Sequence, residues 1–272
     1  MPSNKIKEIL SVSNPFFKNF RALTLKKVRE REGLFLAEGL KLIIDALEIG
    51  WNIRTLIFST SNIKSSALER AIAGTMSSGG FVVKTSDKVM ASLTRRKNPQ
   101  SAIGAFKQRW YQSQNIDLSK NAILLGLDRI RDPGNLGTII RTADAVGASG
   151  ILLIGNTTSP FSVEAVRASM GSIFAIPVSR MSEKDFISWQ EQFPGFIVGT
   201  HLKSSLDYRK LTIRKPILLL MGNEQQGLPD SLTACCHQLA CIPQIGHTDS
   251  LNIAVATGIM LYEIQRKTRF LI

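Results

Sequence analysis

The sequence reads as an α/β protein in two parts, a small N-terminal α/β domain over residues 1–111 and a C-terminal domain over 121–272, joined by a linker at 112–120. Three observations predict this. Short continuous apolar runs recur through the C-terminal half at 122–127, 151–154, 196–198, 217–221 and 239–242, and such runs mark strands buried on both faces of a mostly parallel sheet. Stretches of helical spacing stand between them near 134–147, 162–169, 182–192 and 250–266, so helices cover both faces of that sheet. The charge is also uneven: residues 1–110 hold 19 Lys and Arg against 8 Asp and Glu, and residues 111–272 hold 15 against 13. A basic module joined to a nearly neutral one points to a polyanionic partner, because cationic side chains neutralise phosphates.

The N-terminal elements follow from periodicity and punctuation. One helix is expected over 14–32: Pro15 suits the first helical position, Phe16, Phe20, Leu23 and Val28 supply an apolar side, and Lys18, Arg21, Lys26, Lys27, Arg29 and Arg31 crowd the remainder. Lys26 and Lys27 are candidate RNA contacts on that face, a plain solvated face being the alternative. A strand at 34–38 turns at Gly39, and a helix around 42–47 stops at Gly50. Strands at 53–58, 81–84 and 102–106 then alternate with helices at 65–76 and 86–93. The basic loop 94–100, with Arg95, Arg96 and Lys97 and no apolar anchor, is the foremost candidate for touching RNA. Residues 112–115 are polar and turn-rich, as a linker should be.

Composition and missing motifs exclude several classes. A hydrophobic content of 44% with 20% charged residues is ordinary for a globular protein. The polar N-terminus and the lack of any run near 18 apolar residues predict a soluble, cytoplasmic protein. Cys235, Cys236 and Cys241 lack metal-ligand spacing and are expected to be buried small hydrophobes. The spacing of His201, His237 and His247 predicts no metal site. Neither a dinucleotide fingerprint, nor a phosphate loop, nor a nucleophile elbow follows a strand.

In parallel sheets ligands sit beyond the carboxyl ends of strands, and three loops there concentrate polar residues. The first, 127–143, opens a helix with Asp132-Pro133-Gly134 and carries Asn135 and Arg141. The second, 220–229, brackets Glu224 between Gly222 and Gly227, as expected where a ligand presses against bare backbone. The third runs from Ile242 to Asn252 into a helix whose apolar residues, from Leu251 to Ile264, fall on nearly every side. That helix is expected to be covered all round, by burial or by a subunit contact, with Asp249 or Ser250 as its cap. Singly, Gly134 and Gly227 also read as turn glycines, Arg141 as a surface ion-pair partner and Glu224 as a loop carboxylate.

Taken together the loops resemble a known set. Asp-Pro-x-Asn-x-Gly-x-x-x-Arg-Thr-Ala at 132–143, Gly-x-Glu-x-x-Gly-Leu at 222–228, and Ile-Pro followed by Ser-Leu-Asn-x-x-x-Ala at 242–256 are similar to the three signature motifs of the SpoU/TrmH-type RNA ribose 2′-O-methyltransferases of the SPOUT superfamily. Val166-Arg167-Ala168-Ser169-Met170-Gly171 resembles a segment of the ribosomal-RNA branch. Phe35-Leu36-Ala37-Glu38-Gly39 resembles the ribosomal-protein-like substrate-binding domain fused to many of these enzymes.

The resemblance implies a C-terminal domain threaded into a trefoil knot that holds S-adenosylmethionine, a homodimer, and methyl transfer to a ribose 2′-hydroxyl in ribosomal RNA. The alternatives are a transfer-RNA enzyme of the same family and a non-catalytic RNA- or ribosome-binding protein. Carried over residue by residue, Asn135, Arg141, Glu224, Ser250 and Asn252 form the catalytic set. Thr200, Gly222, Asn223, Gly227, Ile242, Pro243 and Leu251 are the cofactor contacts. Gln244 and Gln225 depart from the family pattern, where a methionine and a glycine are frequent, and both bear on cofactor affinity.

Overall fold

The computed structural model describes residues 6–59, 65–94, 100–118, 122–202, 204 and 206–269. The chain divides into two compact units, residues 1–108 with Phe161–Phe174, and Arg109–Pro160 with Ala175–Ile272. The segment Phe161–Phe174, which lies in the C-terminal half of the sequence, thus belongs to the first unit.

The first unit carries a mixed sheet of β1 (Lys7–Glu8), β2 (Leu34–Glu38), β3 (Ile53–Ser59), β4 (Phe81–Thr85) and β5 (Ala102–Lys107), in the order β1-β4-β3-β5-β2. β1, β4 and β3 run parallel, while β5 pairs antiparallel with both β3 and β2. One core holds Phe17, Phe20, Leu36, Ile57, Met90 and Ile103. A second, aromatic cluster explains the inserted segment: Phe35 meets Phe161 at 4.8 Å, Phe106 meets Phe174 at 5.1 Å, and the Trp51 indole N–H donates to the Phe174 carbonyl at 2.7 Å. The segment's helix α7 (Val163–Ala168) is capped by Ser162, whose hydroxyl accepts from the Ala165 N–H.

The helix expected over 14–32 is in fact two, α1 (Pro15–Ala22) and α2 (Lys26–Glu32). Asn14 caps the first, its side-chain oxygen accepting from the Phe16 N–H at 2.9 Å. The break at Leu23 to Leu25 frees carbonyls, and Arg29 turns back to donate to the oxygens of Leu23 and Thr24 at 3.2 and 2.7 Å. Arg29 is thus buried, its guanidinium pKa lowered by desolvation, and it leaves the exposed basic face to its neighbours. Lys26 and Lys27 are exposed on α2. Arg95, Arg96 and Lys97 lie outside the described residues.

The second unit carries a six-stranded parallel sheet in the order β11-β9-β10-β6-β7-β8. Its strands are β6 (Ile123–Asp128), β7 (Gly150–Ile154), β8 (Val178–Met181), β9 (Phe196–Thr200), β10 (Ile217–Met221) and β11 (Gln238–Ala240). β6, β7 and β10 are buried at every position, as their unbroken apolar runs require. The edge strand β8 escaped notice because Val-Ser-Arg-Met is buried only at its first two positions. Just ahead of the expected linker the Tyr111 N–H donates to the Val178 carbonyl on this edge, and within the linker Ser113–Asn115 makes a single 3-10 turn.

Among the helices of this unit are α6 (Pro133–Ala145), α9 (Glu183–Gln190) and α11 (Ile253–Arg269). α11 packs along α6, where Gln265 donates to the Val146 carbonyl and the Gly258 backbone lies over Thr142. Its expected cover on all sides is not met within one chain: Ile253, Thr257, Met260, Leu261 and Ile264 are buried, while Val255 and Tyr262 are each 53% exposed. The cysteines are half-buried rather than buried. Desolvation pushes the Cys236 thiol up to about 12. No described helix is long and apolar enough to cross a membrane.

Candidate active site

The carboxyl ends of β9, β10 and β11 stop together and deliver their loops to one place. Thr200 closes β9, Met221 closes β10 and Ala240 closes β11, and all three line a pocket of about 290 Å³. The pocket also takes in Gly222, Asn223, Glu224, Gly227, Ile242, Ser250 and Leu251, so most residues singled out for cofactor binding meet in one cavity. Pro243 is exposed and does not line it. Gln225 and Gln244, the two departures from the family pattern, do line it.

The loop after β10 is a tight return. Asn223 and Gly227 exchange backbone hydrogen bonds of 3.1 and 2.9 Å. The Asn223 carboxamide oxygen accepts from the N–H groups of Gln225 and Gln226, at 3.0 and 3.3 Å, and its NH2 donates to the Arg129 carbonyl at 2.8 Å. Asn223 thus spends its side chain on building the loop. Gly227 takes a φ of 66°, which favours glycine. A Cβ on Gly222 would sit 2.2 Å from the backbone of Gly227 and Leu228, so only glycine fits there. Within this loop Glu224 keeps one carboxylate oxygen buried with no hydrogen-bond partner among the described residues, the other lying 3.4 Å from the Asn223 NH2. A buried acceptor without a partner is costly, and its position on a pocket wall fits a ligand that brings a donor.

The entry to α11 is capped by Asn252, not by the expected Asp249 or Ser250. The Asn252 carboxamide oxygen accepts from the N–H groups of Ala254 and Val255, at 2.8 and 3.4 Å. Its NH2 donates to the Asn135 side-chain oxygen at 3.0 Å. Asn135 is itself placed by the start of α6, where the Asp132 carboxylate accepts from the Asn135 N–H at 2.6 Å. The cap residue of α11 and a first-turn residue of α6, 117 positions apart, are thereby joined. This pair sits beside the pocket, since Leu251 and Ile253 on either side of Asn252 both line it. Arg141, farther along α6, is exposed.

Two residues that the sequence motifs did not single out brace the loop after β10 from outside the pocket. Asp128, the last residue of β6, is fully buried, and the Arg129 guanidinium holds it through bonds of 2.9 to 3.1 Å. Burial pushes the Asp128 carboxyl upward in pKa, while these bonds pull it down and raise that of Arg129. Arg129 also donates to the Gln226 side-chain oxygen at 3.1 Å, and it holds a left-handed backbone at φ 49°. The available signal was a carboxylate ending an apolar run and followed at once by an arginine.

Fold and pocket together define a class, and comparison with known proteins agrees. Residues 122–262 match the SpoU rRNA methylase family and residues 14–104 match the MRM3-like substrate binding domain. The chain belongs to the SpoU rRNA methylase family. It is 30% identical to a 23S rRNA (uridine(2479)-2′-O)-methyltransferase of Streptomyces viridochromogenes, over 93% of this chain and 90% of that protein. It is 28% identical to the 23S rRNA (guanosine(2553)-2′-O)-methyltransferase RlmP of Bacillus subtilis, over 96% of this chain and all of that one. The crystal structure of an AdoMet-bound rRNA methyltransferase from Sinorhizobium meliloti superposes with a TM-score of 0.91 at 51% identity, covering 96% of this chain and 98% of that one.

The Gly222 contact yields a direct test. Gly222→Ala must displace the Gly227–Leu228 backbone, and overpacking of this kind costs about 3 kcal/mol, read as a lowered urea midpoint. An unchanged midpoint would show that the loop relaxes freely.

Proposed function

We propose that this chain is an S-adenosylmethionine-dependent RNA methyltransferase that methylates a ribose 2′-hydroxyl in ribosomal RNA. The observation that carries the reading is a pocket closed by three strand-end loops around an unpartnered Glu224 oxygen, ending beside the Asn252–Asn135 pair. The bare backbone at Gly222 and the buried acceptor suit a cofactor with amine and hydroxyl donors. When bound, S-adenosylmethionine supplies a methyl group on a sulfonium centre.

The residues divide the remaining work. Gly222, Ile242 and Leu251 hold the cofactor by backbone and apolar contact, Thr200 and Gly227 close the wall around it, and Glu224 accepts a hydrogen bond from it. Asn135 and Asn252 face the ribose. Since the oxygen of Asn135 is already taken by Asn252, Asn135 offers its NH2 group and acts as a donor to the substrate. Ser250 supplies a further hydroxyl at the mouth. Arg141 anchors a phosphate beside the reacting ribose, because a guanidinium does not give up its proton near neutral pH. Alignment of the 2′-oxygen with the methyl is the main contribution, as a ribose hydroxyl is a poor nucleophile.

The basic first unit, with Lys26 and Lys27 exposed on α2, supports its assignment to RNA binding, a role in which Arg95, Arg96 and Lys97 share. Ribosomal RNA is favoured over transfer RNA because the two 23S rRNA methyltransferases align along nearly the whole chain, substrate-binding domain included, while a non-catalytic binder would leave the Glu224 oxygen without a purpose. The two named relatives act on the ribose of different nucleotides, a uridine and a guanosine, so the target nucleotide does not carry over from them. The reading includes a cytoplasmic location and the family's knotted threading of the C-terminal segment. It also includes a homodimer formed through α11, where Val255 and Tyr262 are the exposed apolar residues.

Three experiments test this. Isothermal titration should show S-adenosylmethionine binding to the wild-type protein and to Asn252→Asp, which keeps the cap but turns a donor into an acceptor facing Asn135. Methylation of ribosomal RNA should fall at least about 100-fold in that variant, the loss expected when transition-state contacts go. Absence of cofactor binding by folded wild type sinks the enzymatic reading. Arg141→Lys should raise the KM for RNA and lower turnover without moving the pH profile; full turnover at unchanged RNA affinity would reject the phosphate role. Val255→Glu should leave each chain folded by circular dichroism yet shift sedimentation toward the monomer, and an unaltered dimer would place the interface elsewhere.

A further inference from the structure

The Asp128–Arg129 pair lies outside the pocket lining, yet it is joined to the loop that forms the pocket's wall in two ways. The Arg129 carbonyl accepts from the Asn223 NH2 at 2.8 Å, and the guanidinium donates to the Gln226 side chain at 3.1 Å. Both loop residues line the pocket, while Arg129 does not. The inner end of this strut is fixed, because Asp128 is fully buried and held by three bonds to the same guanidinium.

The backbone of Arg129 is arranged for these bonds. A non-glycine residue in the left-handed region persists where its surroundings over-determine it. Here the turn sends the carbonyl toward Asn223 and the side chain back onto Asp128. Its N–H donates to the Ile154 carbonyl at 3.0 Å, which pins the turn to β7. Gly155 makes room for it: a Cβ there would meet the Arg129 Cγ at 3.1 Å.

We propose that Arg129 is a positioning residue for cofactor binding, holding the 223–227 loop in the form that receives S-adenosylmethionine while not touching the cofactor. The inference rests on the cofactor assignment made above. Lysine is the informative substitute: it keeps a positive charge beside Asp128 but lacks the planar fork that reaches Asp128 and Gln226 together.

The experiment compares wild type, Arg129→Lys, Gln226→Leu and the double variant. In the cofactor-free protein, Arg129→Lys should keep a thermal midpoint near wild type while amide exchange at Gln225, Gln226 and Gly227 quickens about tenfold, with S-adenosylmethionine binding about tenfold weaker by titration. Turnover at saturating cofactor should change less than the KM for cofactor. Gln226→Leu leaves the Asp128 pair intact, and its loss of affinity should not add to that of Arg129→Lys, as expected of two residues in one strut. Three results would overturn the proposal: wild-type exchange and affinity in Arg129→Lys, an equal loss of stability and affinity there with additive effects of the two changes, or an affinity loss that Gln226→Leu does not share. If wild type itself fails to bind S-adenosylmethionine, the cofactor reading falls first, and wild-type exchange in Arg129→Lys would then remove the strut as well.

Discussion

The close approach of two backbone stretches at Gly222 sets the form of the site. β10 is buried along its whole length between β9 and β6, so the chain leaves the sheet at a fixed point and in a fixed direction. It must then turn back within five residues, and it does so with Gly227–Leu228 pressed where a side chain of residue 222 would stand. The carboxamide of Asn223 ties the turn from inside and Arg129 ties it from outside. The 222–227 part of the pocket wall therefore has its shape fixed by hydrogen bonds and a glycine contact.

Helix caps perform a comparable service at the other side of the pocket. A cap residue has one carboxamide oxygen committed to its own helix, and Asn252 uses its remaining NH2 to fix the orientation of Asn135. Asn135 in turn stands on the helix start that Asp132 caps. The polarity of the pair is thus decided by secondary structure: the start of α11 claims the acceptor of one amide, and every other donor and acceptor in the pair follows from that claim.

Much of this was legible in the sequence, for identifiable reasons. Unbroken apolar runs located β6, β7 and β10 because a strand buried on both faces tolerates nothing else. The glycines at 222 and 227 were legible because no other residue fits a bare close approach or a left-handed turn. What escaped depended on partners distant in sequence. The bend between α1 and α2 is stabilised by Arg29, a residue that periodicity assigns to the exposed face. β8 is held by an edge pairing that four mixed residues do not announce. The Asp128–Arg129 strut reaches Gln226, 97 positions away, so nothing local in the sequence sets Arg129 apart from other arginines. The one-sided burial of α11 was likewise not legible, because apolar residues on nearly every side of the helix predict cover all round, whereas Val255 and Tyr262 are exposed in the chain.

The aromatic segment at 161–174 bears on how such a protein can be assembled from parts. Its phenylalanines complete the first unit, although they are encoded well inside the stretch that matches the methylase family. A gene fusion at one junction therefore cannot exchange the first unit cleanly. A graft at the interdomain boundary would leave Phe35, Trp51 and Phe106 facing whatever aromatic surface the new partner happens to carry. To move the first unit intact, residues 161–174 must travel with it, since their phenylalanines are part of its core.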